Sequence, residues 1–405
     1  MLSAQLLMQV IHSLSFGPLR PPVYLQPQPS GRACPACGPW SLPVGSYLSP
    51  TLTYRLVMNV WELLDLPGLD ESLAQVESEL RKAVASPEPL LSEVAAYLVD
   101  AGGKRLRPAL LLAAAASTGS GAGENVVQGA VSVELVHMGS LYHDDVIDEA
   151  DSRRGVRSAN ARWGNLVAIL AGDFLLARAS EIAAGLGTEV VTVLASTIGR
   201  LCQGEMTQLQ YAYSTARPEP AYLDAISCKT ASLLSASTRI GGLVAGASRP
   251  EVESLTRFGH AFGMAFQIWD DVRDLVCTEA ELGKPAGHDM LEGTYTLPVI
   301  RALADPETGP ELSALLGQPL DEPDVEKARD MILATDAVRG SIAEGRRWAD
   351  LAAEALRAMP ATSAPPASAT ANGAANGAHD DVAAVRETLA GLAHRLLDDL
   401  AVRSS

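Results

Sequence analysis

From Trp61 onward the apolar residues recur with the spacing of a helix, and no stretch of comparable length alternates as a strand would. Periodic runs occupy about 128–150, 163–186, 189–213, 221–246 and 250–276, with glycine, proline and charge clusters between them. Upstream, Leu73, Val76, Leu80 and Val84 repeat on one face, and residues 88–100 continue the pattern until Gly102-Gly103 break it. Alanine and leucine are abundant while aromatic residues make up only 5%, which favours packed helices over sheets. The expectation is all-α: one helical domain over residues 62–405, long enough to bury a large core.

Two segments stand apart. Residues 1–61 hold no Asp or Glu, three arginines (Arg20, Arg32, Arg55) and many Pro, Gly and Ser, so they should not form a core. They lack the pattern of a transit peptide, and no basic residue precedes the apolar stretch Leu2–Ile11 as in a secretory signal. They read as a disordered leader, or as sequence preceding a true start near Met58. The second segment, Pro360–Ala378, reads as a low-complexity insertion at about 360–380, ahead of a last helix over Val382–Val402.

A formal net charge of −17 argues against nucleic acid as a partner. No apolar run is long enough to span a bilayer. Cys202, Cys228 and Cys277 read as buried thiols, and the lone CxxC of Cys34 and Cys37 lacks further zinc ligands at sensible spacing. A reducing, cytoplasmic setting is expected.

The chemistry is concentrated in two acidic clusters, Asp144-Asp145-Val146-Ile147-Asp148 and Asp270-Asp271-Val272-Arg273-Asp274. On a helix the first and last aspartates of each DDxxD share a face, one turn or about 5.4 Å apart. Like charges at that spacing repel, so the pattern invites a cation. Hard oxygen donors with open coordination suit Mg²⁺ and a phosphorylated substrate. A single DDxxD would read as a solvated acidic face; a pair in otherwise apolar segments points to a Mg²⁺–diphosphate site.

Cations flank the clusters. Gly102-Gly103-Lys104-Arg105-Leu106-Arg107-Pro108 joins a glycine turn to three of them, without the spacing of a Walker loop. Arg153 and Arg154 follow the first cluster closely enough to turn back and clamp phosphate oxygens. His137 lies two helical turns before Asp144, on the same face. Lys229-Thr230 sits among small residues, where a buried ammonium needs an anion. Glu205 and Gln208, then Gln267, and a Gly-Pro loop carrying Lys284 complete the set.

In this order the segments GGKRLRP, HDDVIDEADSRRG, GDFLLARA, KTASL, FQIWDDVRD and GKPAGHDMLEGTYTLP resemble the trans-polyprenyl diphosphate synthases, most closely the bacterial medium- and long-chain members. The resemblance covers about residues 62–405. It implies an isoprenoid synthase-type helical bundle around a deep central cavity, usually a homodimer, that condenses isopentenyl diphosphate head-to-tail onto an allylic diphosphate. Two or three Mg²⁺ ions would be held by Asp144, Asp148 and Asp270, with Asp145, Asp271 and Asp274 completing the catalytic clusters. Lys104, Arg107, His137 and Arg154 would hold isopentenyl diphosphate. Arg153, Lys229, Thr230, Gln267 and Lys284 would hold the allylic partner. Thr294 stands where long relatives often carry a lysine, so weaker allylic binding, or compensation by Lys284, is expected.

Product length is read from the helix carrying the first cluster. Gly139 and Ser140 are small, which would leave a channel for a growing tail and imply about six to eight isoprene units by family analogy. Shorter geranylgeranyl- or farnesyl-length products are the alternative. A terpene cyclase would not need the GGKxxR segment or a second DDxxD, and a silent regulatory subunit tends to lose aspartates that this chain keeps. The product is a greasy amphiphile, so transient membrane contact at release is expected.

Overall fold

The computed structural model describes residue 64 and residues 66–282, 285–360 and 375–403, all within a unit spanning Thr53–Ser405. The expected leader, residues 361–374 of the insertion, and Lys284 lie outside the described residues.

Local sequence signals account for many of the helix ends. The helix Leu69–Ala83 (α1) carries Asp70 and Glu71 in its first turn and Arg81 and Lys82 in its last, each sign at the pole that favours it. Pro89–Asp100 (α2) starts with proline, and the Glu88 side chain accepts from the Leu91 N–H at 2.8 Å. Leu106–Ala116 (α3) and Glu124–Ile147 (α4) follow. Then comes a hairpin, Ser152–Arg153 (β1) paired antiparallel with Val156–Arg157 (β2). Its two-residue turn puts both Arg154 and Gly155 at positive φ, 54° and 77°, the combination a type I′ hairpin requires.

After the short helix Ala159–Trp163 (α5), Asn165–Leu186 (α6) and Thr188–Gln210 (α7) match two of the periodic runs closely. The run expected over 221–246 is divided into Glu219–Ile226 (α8), a π-helical turn Ser227–Ala231 and Ser232–Val244 (α9). The wide turn carries Lys229 and Thr230, in keeping with the tendency of such turns to mark functional positions. Arg249–Val276 (α10) begins with a reciprocal capping box between Ser248 and Glu251. Short helices Glu279–Leu282 (α11), His288–Leu291 (α12), Leu297–Leu303 (α13) and Gly309–Leu315 (α14) precede Glu322–Leu333 (α15) and Ala337–Arg357 (α16). The last helix, Ala375–Arg403 (α17), begins ahead of the expected Val382.

Two central helices organise the packing. The α4 helix is apolar nearly all round, burying Val127, Ala130, Val131, Val133, Leu135, Val136 and Met138 against α3, α6 and α9. The α10 helix does the same against α9 and α16, with Phe258, Phe262 and Ile268 fully buried. Each such side chain contributes about 1.5–3 kcal/mol by leaving water, so α4 and α10 are fixed in place along most of their length. Both aspartate clusters sit near the C-terminal ends of these two helices. Among the described residues, no helix is long and apolar enough to cross a membrane.

Candidate active site

The C-terminal ends of α4 and α10 open on one cavity of about 640 Å³. Asp144 and Asp148 line it from the first cluster, Asp270 and Asp271 from the second. Two stretches far apart in sequence therefore present carboxylates to a common space. Asp289 and Glu292, on and just after α12, add two more, and Glu205 on α7 a further one. Apolar side chains, Leu141, Leu176, Ile198, Leu201 and Leu209 among them, line it as well.

The other two motif aspartates do not line this cavity. Asp145 is fully buried and accepts from the Arg153 guanidinium at 2.6 Å. Asp274 is buried at 4% exposure and accepts from the Asp289 N–H at 3.2 Å. Asp145 fixes a cation and Asp274 fixes the loop that brings Asp289 to the wall.

Burial and mutual repulsion raise the acids. Desolvation first, then Glu205 and Asp148, push Asp144 up to about 6 against the opposing pull of Lys229 and Arg153. Desolvation likewise raises Asp271 to about 7, although Tyr222 Oη (2.5 Å) and Gln267 Nε2 (2.8 Å) both donate to it. Lys229 is drawn the other way: burial would lower it, but Glu205 at 2.6 Å, Asp144 and Asp148 outweigh that and hold it above its ordinary value.

The residues expected to hold the allylic diphosphate gather along α10 and the π turn. Thr230 Oγ1 donates to Gln267 Oε1 at 2.6 Å, and Gln267 passes its amide to Asp271, so three motif residues form one chain. Lys229, Thr230, Gln267 and Arg153 all line the cavity.

Those expected to hold isopentenyl diphosphate divide. Arg107 and His137 line the cavity, with burial lowering Arg107 to about 10 and leaving its Nε without a partner. Burial and the charges of Arg107, Arg154, Arg105 and Arg153 hold His137 well below the ordinary imidazole range, so it is a neutral hydrogen-bonding group there. Lys104 is exposed and off the lining; desolvation and the charge of Arg273 lower it while Asp270 pulls the other way.

Arg154 departs from expectation. Its Nη1 donates to the Leu98 carbonyl at 3.0 Å and to the Gly102 carbonyl, so it holds a turn and does not line the cavity. A Cβ on Gly103, whose φ is 156°, would come within 2.8 Å of the Arg154 guanidinium. The guanidinium could shift to admit a side chain, so it is the positive φ that favours glycine there. Arg105 is likewise structural, buried between Glu77 and Glu134.

Gly139 also departs. A Cβ there would stand 3.1 Å from the Gly172 carbonyl and from Leu176, so Gly139 permits close packing of α4 on α6 and is absent from the cavity wall. Ser140, one residue on, does line it. Sequence reasoning assigned no role to Arg217, Tyr222 or Asp289, all of which line the cavity. They lie outside both DDxxD runs, and no local spacing pointed to them.

Among the described residues no three carboxylate, imidazole or thiol groups stand together as a ready-made metal cage. What the cavity supplies is hard oxygen donors from two helices, two of them, Asp144 and Asp271, with pKa values raised chiefly by burial. This donor set fits a hard divalent cation that completes its shell with water and substrate phosphate oxygens.

The model of the family described as Polyprenyl synthetase matches residues 88–332. The chain is 44% identical over 293 residues to the heptaprenyl diphosphate synthase component 2 of Geobacillus stearothermophilus, covering 72% of this chain and 91% of that one. It is 42% identical over 254 residues to the nonaprenyl diphosphate synthase of Mycobacterium tuberculosis, covering 62% and 75%. The crystal structure of a decaprenyl diphosphate synthase from Rhodobacter capsulatus superposes with a TM-score of 0.71 at 33% identity, over 86% of this chain and 99% of that one. A polyprenyl synthase from Caulobacter crescentus, crystallised with calcium and isoprenyl diphosphate, gives 0.70 at 30% identity over 83% and 97%. The chain belongs to the polyprenyl synthetase family, all-α transferases of prenyl groups.

Proposed function

We propose that this chain condenses isopentenyl diphosphate onto an allylic diphosphate with Mg²⁺, building a medium- or long-chain all-trans polyprenyl diphosphate. The observation that carries the reading is the opening of both aspartate clusters on one cavity that apolar side chains also line. Asp144, Asp148 and Asp270 would hold two or three Mg²⁺ ions, which neutralise a diphosphate leaving group and so favour ionisation of the allylic C–O bond.

The chain's own residues do the rest. Lys229 and Arg153 are cations at the cavity wall, and Thr230 and Gln267 offer polar atoms beside Asp271. Arg107 and neutral His137 would orient isopentenyl diphosphate, with Lys104 and Arg154 as the further candidates from sequence. The apolar wall excludes water from the allylic cation and holds the alkene close to it. No side-chain base is required, because the departing pyrophosphate can take the final proton. The calcium and isoprenyl diphosphate of the Caulobacter crescentus relative support a divalent metal and a diphosphate as ligands.

Product length rests on Ser140, small and on the cavity wall, and on the names of the heptaprenyl, nonaprenyl and decaprenyl relatives. Purified protein given labelled isopentenyl diphosphate, farnesyl diphosphate and Mg²⁺ should yield products beyond four units. Products stopping at three or four would replace the long-chain reading with a short-chain one, and no condensation at all would remove the enzymatic reading.

Assembly as a homodimer is supported by Leu166, Ile169 and Leu170, which form one exposed apolar face at the start of α6, the first and last at 78% and 63% exposure. A relative named as one component of a synthase makes a hetero-complex the competing assembly. Light scattering of the purified chain alone distinguishes them. Action in the cytoplasm, with transient membrane contact at product release, completes the reading.

A further inference from the structure

Four cations line the cavity among the described residues: Arg107, Arg153, Arg217 and Lys229. Two are already neutralised, Arg153 by Asp145 and Lys229 by Glu205. Arg107 and Arg217 differ from these: each keeps a buried Nε with no hydrogen-bond partner. Arg107 belongs to the wall with His137. Arg217 sits on the opposite flank of the chemistry, in the loop before α8, and it is only 5% exposed.

Its surroundings are specific. Arg217 Nη1 donates to the Tyr295 carbonyl at 3.1 Å, and the guanidinium lies 5.5 Å from the ring centroid of Tyr222, whose hydroxyl donates to Asp271. The residue before Tyr295 is Thr294, which lines the same cavity and contacts Gln208 Nε2 at 3.5 Å with a neutral hydroxyl. A desolvated guanidinium with an unused donor is costly unless a ligand completes it. An oxyanion with several acceptor oxygens is the ligand that suits a partly free planar fork.

We propose that Arg217 is a diphosphate-binding residue on the allylic side of the site, supplying at the Asp271–Thr294 flank the positive charge that position 294 does not carry. The proposal deepens the synthase reading and rests on it. Arg217 belongs with Lys229, Thr230 and Gln267, because it shares with them the neighbourhood of Asp271. Its contact with the Tyr295 carbonyl keeps the loop bearing Thr294 against the same space.

The test compares wild type with Arg217→Ala, Arg217→Gln, and Arg217→Ala combined with Thr294→Lys. KM is measured for farnesyl diphosphate and for isopentenyl diphosphate, binding of inorganic pyrophosphate with Mg²⁺ by calorimetry, and melting temperature alongside. Loss of one charge-assisted contact should raise the allylic KM, and weaken pyrophosphate, by roughly tenfold to a hundredfold. The isopentenyl KM should stay within about twofold. Arg217→Gln, which keeps an amide donor for the Tyr295 carbonyl, should be as impaired as Arg217→Ala, and Thr294→Lys should restore most of the loss.

A purely structural clamp gives the reverse: Gln behaves as wild type, Ala loses melting temperature and both KM values together, and Lys at 294 restores nothing. That pattern, or unchanged pyrophosphate binding in both variants, overturns the proposal. Failure of the synthase reading is separately visible, as wild type that binds pyrophosphate but forms no carbon–carbon bond.

Discussion

The two aspartate clusters have the same DDxxD pattern, and the protein accommodates them by opposite means. Both lie near helix C-termini, the pole at which negative charge is least welcome. At the end of α4 the remedy is ionic: Arg153 pairs with Asp145, and Lys229 acts on Asp144 and Asp148. At the end of α10 neutral donors take part: a tyrosine hydroxyl and a glutamine amide serve Asp271, and a backbone N–H donates to Asp274. The cation inside that second motif, Arg273, is spent instead on the face of Trp269, 4.6 Å away. The α4 side thus has cations set against its carboxylates, although Lys229 is shared with Glu205. The α10 side holds Asp271 between neutral donors, while the charges of Arg217 and Lys104 act on Asp271 and Asp270 from outside the motif.

The largest effect that follows is on turnover. Asp144→Asn and Asp270→Asn remove one hard anionic donor each from the shared cavity, and either should lower turnover by about a hundredfold to a thousandfold, the scale of losing one preorganised electrostatic contact. Neither should unfold the protein. Asp144→Asn relieves a carboxyl already raised to about 6, so the metal-free variant should melt no lower than wild type at neutral pH. Turnover and melting curves on the same preparations check both halves; a variant that loses activity only in proportion to lost folding would break the assignment.

Next in size is the ionic remedy itself. Arg153→Ala leaves Asp145 buried with a carboxylate that already has one oxygen unpartnered. Breaking a fully buried pair costs about 3–5 kcal/mol, and the Arg153 side chain is 30% exposed, so roughly 2–3 kcal/mol is expected after screening. Adding Asp145→Asn should recover most of it, because the uncompensated charge goes with it. Urea denaturation of the two single variants and the double variant closes the cycle, and purely additive losses would show that the pair is not coupled.

This comparison also marks how far the sequence could be read. Periodicity revealed α4, α6, α7 and α10, because even helices that bury only one face, as α6 and α7 do, write it into the chain. The DDxxD spacing identified four cavity carboxylates for the same local reason. Gly139 shows the limit of that reasoning: at 3.6 residues per turn, a position five before Asp144 lies about 140° round the helix, so it meets α6 while Ser140 keeps the cavity face. Arg154, in a left-handed turn, also reaches the Gly102 carbonyl 52 residues upstream, a contact that spacing does not encode. Arg217 and Tyr222 act on residues 78 and 49 positions away, and such pairings exist only once the helices have packed.

The smallest effect bears most directly on the neutral remedy. Tyr222→Phe removes the hydroxyl that donates to Asp271 at 2.5 Å, leaving Gln267 as the one side-chain donor recorded there. Asp271 is raised to about 7, and the tyrosine works against that rise, so its loss should lift the carboxyl further. A folded-state value above the unfolded one means that the metal-free protein binds the extra proton. Stability from this group is therefore greatest in acid and declines as pH rises toward 7. The hydroxyl helps the carboxylate more than the acid, so Tyr222→Phe should cost about 1–2 kcal/mol near pH 8 and noticeably less near pH 5. Metal-free melting curves at the two pH values measure that difference. A penalty independent of pH would mean that Tyr222 acts by packing alone, and the contrast between an ionic and a neutral cluster would fail at its most specific point.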